Sequence, residues 1–334
     1  MKRKILFRVD AGEKVGLGHF FRSYSLAKAL AQKGYAVTFV HTRSGFWDTL
    51  DNFEFPHSIL QEKNSSKETI NICLNGKYEI LYVDGIIDFD SNDINTLKDN
   101  AKLVFYQNLS ESRYLADVYI LPSLHQKESF FEKFNNIKTQ IYQGLEYFTF
   151  NEKIRNLGLK EIQSDDCVND IGIICGGSDP RNVMLMVYKL IDFLKWENIT
   201  FNFYFGENYM HHNSIPQSTP KNVNFLAYDI SVINNSDMLI AVFGVSTYEF
   251  MALGMPIISI AHQQANAHAS EVLEHKTASI CHLGLIDNIK TTELNTTIAK
   301  FVKDIIFRRS LNKNSKMVLD FNGIERVVKI LERI

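Results

Sequence analysis

Short apolar runs alternate with amphipathic stretches along the whole chain, the pattern of βαβ units in parallel sheets. In the first half these runs predict strands at 4–9, 36–41, 79–83, 103–106, 118–121 and 140–142. A first helix is predicted over roughly 19–33. There Phe20, Tyr24, Ala27 and Ala31 recur at helical spacing, and Gly34 is placed to end the helix.

In the second half strands are predicted at 171–175, 201–205, 223–226, 238–242, 256–260 and 278–282. Helices are predicted near 181–195, 230–236, 246–254, 265–275, 292–306 and 313–332. Between the halves, 151–169 is polar and charged without a strand period, and is expected to be a linker. The expected architecture is α/β: two Rossmann-like, doubly wound domains, 1–150 and 170–334, facing across a cleft. Ligands of such sheets bind at the carboxyl ends of the strands. No internal repeat interrupts this order.

Composition fits that picture and excludes several others. With 334 residues, 45% hydrophobic, 24 Phe and 14 Tyr, the chain can bury two sizeable cores. A formal net charge of −2 excludes the basic field of a general nucleic-acid binder, so no nucleic-acid partner is expected. The basic start Met1-Lys2-Arg3-Lys4 is followed only by Ile5-Leu6-Phe7, too short for a signal-peptide core, and reads as the first strand. No run of about 18 apolar residues occurs, so no integral membrane segment is expected. Cys73, Cys167, Cys175 and Cys281 lack CxxC spacing, which suggests neither a disulfide framework nor a zinc site. They read as reduced thiols of a cytoplasmic protein. Nothing in the pattern specifies an oligomer.

The first candidate site lies directly after the first strand. Gly16-Leu17-Gly18-His19 leads into the helix at Phe20-Phe21-Arg22. Glycines there let a ligand approach the backbone, and an imidazole on that turn is suited to general base work near neutral pH. Asp10 and Arg22 flank His19, and either can orient the ring or bind hydroxyls of a ligand. Packing of His19 under a loop is the plainer alternative.

The second half offers three further turns. Strand 171–175 ends in Gly176-Gly177-Ser178-Asp179-Pro180, where Ser178 or Asp179 can cap a helix and Pro180 suits its first turn. A pyrophosphate can sit at such a helix N-terminus, although an ordinary tight turn has the same residues. After strand 238–242, Ser246 and Thr247 offer hydroxyls and N–H groups at a helix start. Glu249, one turn inside, can accept two ribose hydroxyls or close a Ser246-x-x-Glu249 capping box, and spacing alone does not separate the two. After strand 256–260, Gln264 and Asn266 lie in an amide-rich loop that can touch phosphates or a sugar. His262 and His268 there fit neither HxH nor HExxH, so no metal is expected.

Gly176-Gly177-Ser178, then Gly244-x-Ser246-Thr247-x-Glu249-x-x-x-x-Gly254-x-Pro256, then the amide-rich loop, resembles the donor half of GT-B enzymes. The opening Phe7-Arg8-Val9-Asp10 … Gly16-Leu17-Gly18-His19-Phe20-Phe21-Arg22-Ser23 is similar to that of the UDP-sugar hydrolases of pseudaminic acid biosynthesis and the related spore-coat polysaccharide proteins. Tyr142-Gln143-Gly144-Leu145-Glu146-Tyr147 resembles the family's Gly-x-x-Tyr segment. The resemblance implies a GT-B fold and a small-molecule UDP-sugar partner, with no cofactor and no metal. It implies His19 as the base that directs water to the anomeric carbon and releases UDP with inversion. It implies Glu249 as the ribose ligand and Ser246 and Thr247 as the phosphate-side pair, with Gly18 and Asp84 on the sugar side. Two places depart from the family: Asp84-Gly85-Ile86 replaces an Asp-His-Tyr type segment, and Gln107-Asn108 stands where a pair of aspartates is usual. An inverting glycosyltransferase using the same base, or a nucleotide-sugar-binding protein without catalysis, would share most of these motifs.

Overall fold

The computed structural model describes residues 2–12, 15–134 and 138–334. The chain divides into two units, residues 1–155 with 321–334, and residues 156–320. Each unit is a parallel sheet flanked by helices.

The first unit holds β1 (Lys4–Val9), β2 (Ala36–Thr42), β3 (His57–Leu60), β4 (Ile80–Asp84), β5 (Lys102–Tyr106), β6 (Val118–Leu121) and β7 (Gln140–Gln143). They are ordered β3-β2-β1-β4-β5-β6-β7, and every pair is parallel. Strands covered on both faces read as unbroken apolar runs. Accordingly Ile5, Phe7 and Val9 of β1 pack with Leu26, Ala27 and Leu30 of the helix Gly18–Gln32. Leu6 points the other way, to a core shared with Val40, Leu81, Val83, Ile94 and Leu97.

The helix Gly18–Gln32 buries Phe20, Ser23, Leu26, Ala27 and Leu30, whereas Ala31 is exposed. The buried face is therefore rotated from the stripe that spacing suggested. Gly34 ends the helix in the left-handed region at φ 91°, with its N–H donating to Ala31 at 2.9 Å. Strand β3 escaped the sequence reading because it is short and three of its four residues are exposed.

The second unit holds β8 (Asp170–Ile174), β9 (Thr200–Phe205), β10 (Val223–Ala227), β11 (Met238–Val242), β12 (Ile257–Ala261) and β13 (Cys281–Leu285), ordered β10-β9-β8-β11-β12-β13. Ile171, Ile173, Ile240, Ile258 and Ile260 meet Val183, Val187, Leu294 and Ile298 in its core. Strand β13 starts three residues later than expected, because the helix Gln264–Thr277 runs on to a left-handed Ala278.

The segment 313–332, expected as one helix of the second domain, is two. A helix Ile305–Val318 ends before Leu319, and a second, Gly323–Arg333, lies in the first unit. There Ile324, Val327, Val328, Ile330 and Leu331 join the core of Phe7 and Leu30. The unit boundary at Arg155/Asn156 lies inside the stretch read as a linker, but the last fourteen residues return to the first unit and correct the expected boundary at 170–334. An apolar helical face shows that a core is needed, not which one.

Candidate functional site

In the first unit the site is built on the carboxyl ends of β1, β4 and β5, which lie side by side in the sheet. The turn after β1 is closed by paired backbone bonds, Gly16 N–H to Gly12 O at 2.7 Å and Gly12 N–H to Gly16 O at 3.3 Å. The helix then starts at Gly18 and puts His19 in its first turn and Arg22 one turn on. Register pairs Val9 of β1 with Asp84 of β4, so the last residue of β4 lies beneath that turn.

Asp84 is fully buried and meets four donors. Its Oδ2 accepts from Arg22 Nε at 2.7 Å and from Ser23 Oγ at 2.8 Å. Its Oδ1 lies 2.5 Å from Arg22 Nη2 and 2.8 Å from His19 Nδ1. Burial alone would raise this carboxyl, but the Arg22 guanidinium, with His19 after it, overrides that and holds it down at about 2. Burial likewise works against the charge of Arg22, and Asp84 overrides it, so Arg22 is raised above its ordinary value. Ionised, Asp84 only accepts hydrogen bonds, so it favours the proton on Nδ1 and the lone pair on Nε2.

Arg22 also lies over the Tyr106 ring at 4.9 Å, and its Nη1 donates to Gln107 Oε1 at 2.8 Å. Gly85, at φ 121°, turns the chain away beside the imidazole. A half-exposed base, oriented by a buried carboxylate that is itself held by an arginine, can take a proton from water or a hydroxyl.

Of the residues read from the sequence, His19, Arg22 and Asp84 come together. Asp10 does not join them. Its Oδ1 accepts from Thr42 N–H at 2.7 Å and Thr42 Oγ1 at 2.8 Å and pairs with Arg8, tying the end of β1 to β2. Asp84 moves from the sugar side to beneath the imidazole, because all its acceptor positions face inward. Gly18 remains at the helix start with open space around it. Ser23 and Gln107 were not singled out as site residues. Ser23 stands within the motif already quoted, and Gln107 is marked in the sequence only as a departure from the usual pair of aspartates after β5.

The second unit has its own polar edge. Gly176, Gly177 and Ser178 are exposed after β8, with Gly176 at φ 90°. The backbone of Gly206 is so close to Gly177 that a Cβ there would lie 2.3 Å from the Gly177 oxygen. Asp179 is buried and caps the next helix: Oδ1 accepts from Val183 N–H at 2.8 Å and Oδ2 from Met184 N–H at 2.9 Å. The helix therefore begins at Val183 rather than 181, and two of the amides considered for a pyrophosphate are already bonded.

At the end of β11 the helix Val245–Ala252 takes Gly244 as its N-cap. Buried Thr247 folds back to accept from Gly244 N–H at 3.2 Å, so it closes its own helix and is not presented to a phosphate. The Ser246–Glu249 capping box does not form, since these residues are second and fifth in the helix rather than cap and third. Burial pushes the half-buried Glu249 carboxyl up to about 7. It also raises the neighbouring Tyr228 phenol, an effect to which the Glu249 charge adds and which the Ser246 hydroxyl opposes.

Asn266 is engaged as well. Its Nδ2 donates to Phe243 O at 2.8 Å and its Oδ1 accepts from Gln263 Nε2 at 2.5 Å, which ties the loop after β12 to that after β11. Gln264 is exposed in the first turn of Gln264–Thr277. Arg181 donates to the His262 carbonyl and to both Asp287 oxygens at 2.8 and 2.9 Å. Among the described residues no group of three or more His, Cys, Asp or Glu could hold a metal ion, and no helix is long and apolar enough to cross a membrane.

The two parallel sheets, of seven and six strands among the described residues, are those of a GT-B-fold protein, as the likeness to solved structures shows. The chain superposes over its whole length on MurG of Acinetobacter baumannii, with a TM-score of 0.69 at 12% identity and 100% of that chain covered. On the calicheamicin glycosyltransferase CalG4 the TM-score is 0.66 at 14% identity, covering 100% of this chain and 98% of that one.

Within that class the sequence likeness is to the spore-coat polysaccharide and UDP-diacetamido-trideoxyhexose hydrolase group, as the opening motif indicated. The chain is 22% identical over 339 residues to the spore coat polysaccharide biosynthesis protein SpsG of Bacillus subtilis, covering 97% of this chain and 96% of that protein. It is 23% identical over 185 residues to the UDP-2,4-diacetamido-2,4,6-trideoxy-beta-L-altropyranose hydrolase of Campylobacter jejuni, covering 55% of this chain and 64% of that enzyme. No family model matches the chain.

Proposed function

We propose that the protein is a UDP-sugar hydrolase of surface-polysaccharide or nonulosonate biosynthesis, working in the cytoplasm on a UDP-diacetamido-trideoxyhexose or a related donor. The observation that carries this reading is the His19–Asp84–Arg22 arrangement, which leaves Nε2 of a half-exposed imidazole as a base. Water attacks the anomeric carbon, its proton passes to Nε2, and the bond from that carbon to the β-phosphate oxygen breaks with inversion. UDP departs with the electron pair. In the second unit Glu249 and Ser246, with the exposed Gly176–Ser178 turn, would take the ribose and the phosphates. Thr247 and Asn266 are left out because their own helix and loop already use them.

The test incubates the purified protein with UDP-2,4-diacetamido-2,4,6-trideoxyhexoses and UDP-N-acetylglucosamine, without acceptor, and follows UDP. Turnover by the wild type and a loss of about 10²–10⁴-fold in His19→Ala are expected. Undiminished turnover in His19→Ala would remove the assigned base. Because MurG and CalG4 superpose over the whole chain, an inverting glycosyltransferase is the second reading. UDP release only when a sugar acceptor is added would select it. Tight UDP binding with no turnover of any donor would instead select a binding protein without catalysis.

A further inference from the structure

Gln107 stands where a glutamine is a poor backbone choice. It follows β5 with φ 52°, in the left-handed region that Gly, Asn and Asp adopt far more readily. Its backbone N–H donates to Ile120 O at 2.8 Å, so the conformation is tied into the sheet edge. The side chain supplies what those smaller residues cannot: Oε1 reaches Arg22 Nη1 at 2.8 Å. Asparagine is one methylene short of that reach and glycine has no acceptor. Strain retained beside a reactive group points to a role for the side chain.

The role follows from the crowding around His19 Nδ1. That nitrogen is 2.8 Å from Asp84 Oδ1 and 2.7 Å from Arg22 Nη2. The two neighbours ask for opposite tautomers. Asp84 needs a proton on Nδ1, which leaves Nε2 basic. Arg22 can serve Nδ1 only if that nitrogen carries the lone pair, and then the proton sits on Nε2 and no base remains. A guanidinium held on Asp84 through Nε and Nη2, and drawn outward at Nη1, favours the first arrangement. A guanidinium free to rotate towards the ring favours the second.

We infer that Gln107 is a positioning residue for the His19 base, holding the outer edge of Arg22 with a neutral acceptor so that Asp84, not Arg22, sets the tautomer of the imidazole. Neutrality matters as much as reach. Asp84 is ionised and fully buried, and a second carboxylate at Gln107 would compete with it for the one arginine. The phenols that act on Arg22, of Tyr82 on β4 and Tyr106 on β5, are buried, raised by burial and therefore uncharged near neutrality. The inference rests on His19 being the base and extends that reading to the residue that keeps it in working form.

The test compares Gln107→Gly, Gln107→Asn and Gln107→Glu by nitrogen and carbon NMR of labelled histidine, with His19 assigned by its loss in His19→Ala. Gly and Asn suit the left-handed backbone, so both variants are expected to fold with an unchanged or higher thermal midpoint. Their His19 signal should nevertheless lose the Nδ1–H tautomer. Where turnover is measurable, kcat should fall several-fold with KM nearly unchanged. Gln107→Glu should likewise lose the Nδ1–H signal, because its carboxylate competes with Asp84 for Arg22. A Gln107→Gly protein whose His19 tautomer matches the wild type would overturn the inference. The NMR readout needs no substrate: a protein that hydrolyses no UDP-sugar would defeat the hydrolase reading and leave this result standing.

Discussion

His19 and Asp84 are separated by 65 residues in sequence, yet Nδ1 and Oδ1 lie 2.8 Å apart. The contact exists because β4 runs beside β1 and brings its last residue under the helix that begins at Gly18. Arg22 clamps the same carboxylate from the next helical turn. Such an assembly orients a base, and removing one partner would leave the other charge buried and unpaired.

Asp84→Asn should therefore be costly in two ways. It leaves the buried Arg22 guanidinium without its charge partner, which is expected to cost about 3–5 kcal/mol and lower the thermal midpoint markedly. It should also slow UDP release by about 10²-fold or more, since the ring loses the acceptor that fixes Nδ1–H. In the wild type the Asp84 carboxyl lies at about 2, below the ordinary value of 3.8. A depressed acid stabilises the fold above the unfolded value, so this contribution is present above about pH 4 and lost as pH falls towards 2. Acid titration of the circular dichroism signal, compared with Asp84→Asn, checks the window.

Glu249 should behave in the opposite sense. Its carboxyl is raised from 4.5 to about 7 by burial, so the folded protein binds its proton more tightly than the unfolded chain. That stabilisation is present below about pH 4.5 and lost as pH rises through 7. Glu249→Gln should melt at a higher temperature than the wild type at pH 8 and nearly with it at pH 5. If Glu249 holds ribose, UDP affinity measured by calorimetry should rise between pH 6 and 8 in the wild type and stay flat in the variant.

Buried His41 predicts acid sensitivity away from the candidate base. Its ring stacks on Trp47 at 3.6 Å, and its Nε2 meets His57 Nδ1 at 2.9 Å. Burial, with the neighbouring His57 and Arg8 adding to it, lowers the imidazole to about 4 against the opposing bond to the Thr42 carbonyl and the charge of Asp10. A depressed histidine favours the folded state above 6.5, and that advantage, on the order of 3 kcal/mol, is lost as pH falls from 6.5 to 4. His41→Phe keeps an aromatic ring on Trp47 and should flatten the stability profile across that interval. Tryptophan fluorescence during urea titration at pH 5 and 7 reads it, with Trp196 in the second unit as the internal control.

The terminal helix gives a test of the unit boundaries. Leu331 is fully buried in the core that also holds Phe7 and Leu30. Leu331→Ala should destabilise by about 2–5 kcal/mol, the usual cost of removing a buried leucine. The loss should fall on the first unit alone. Hydrogen exchange by mass spectrometry should show faster exchange in β1 and β2 and unchanged protection in β8 and β11.

How much was legible follows from the reach of each signal. Twelve strands could be read, some displaced at their ends, and most of them are buried on both faces and leave apolar runs that need no knowledge of their neighbours. The short, exposed β3 leaves no such run. His19, Arg22, Asp84 and Glu249 stood out by residue type at the carboxyl ends of strands. Their division of labour did not. Asp10 and Asp84 close neighbouring strands with the same side chain, and only the partners, Arg8 and Thr42 for one, Arg22, Ser23 and His19 for the other, separate a cross-tie from a ring partner.

By itself the sequence determined what depends on near neighbours along the chain: the alternation of strands and helices, the glycine-flanked histidine at the first helix start, and the motif order shared with GT-B enzymes. The tertiary structure decided which core takes the helix Gly323–Arg333. It also decided which carboxylate lies under His19, and that Thr247 rather than Glu249 closes the helix after Gly244. Helical and strand periods act over a few residues, whereas strand order and the burial of a charge are set by contacts between segments far apart in the chain.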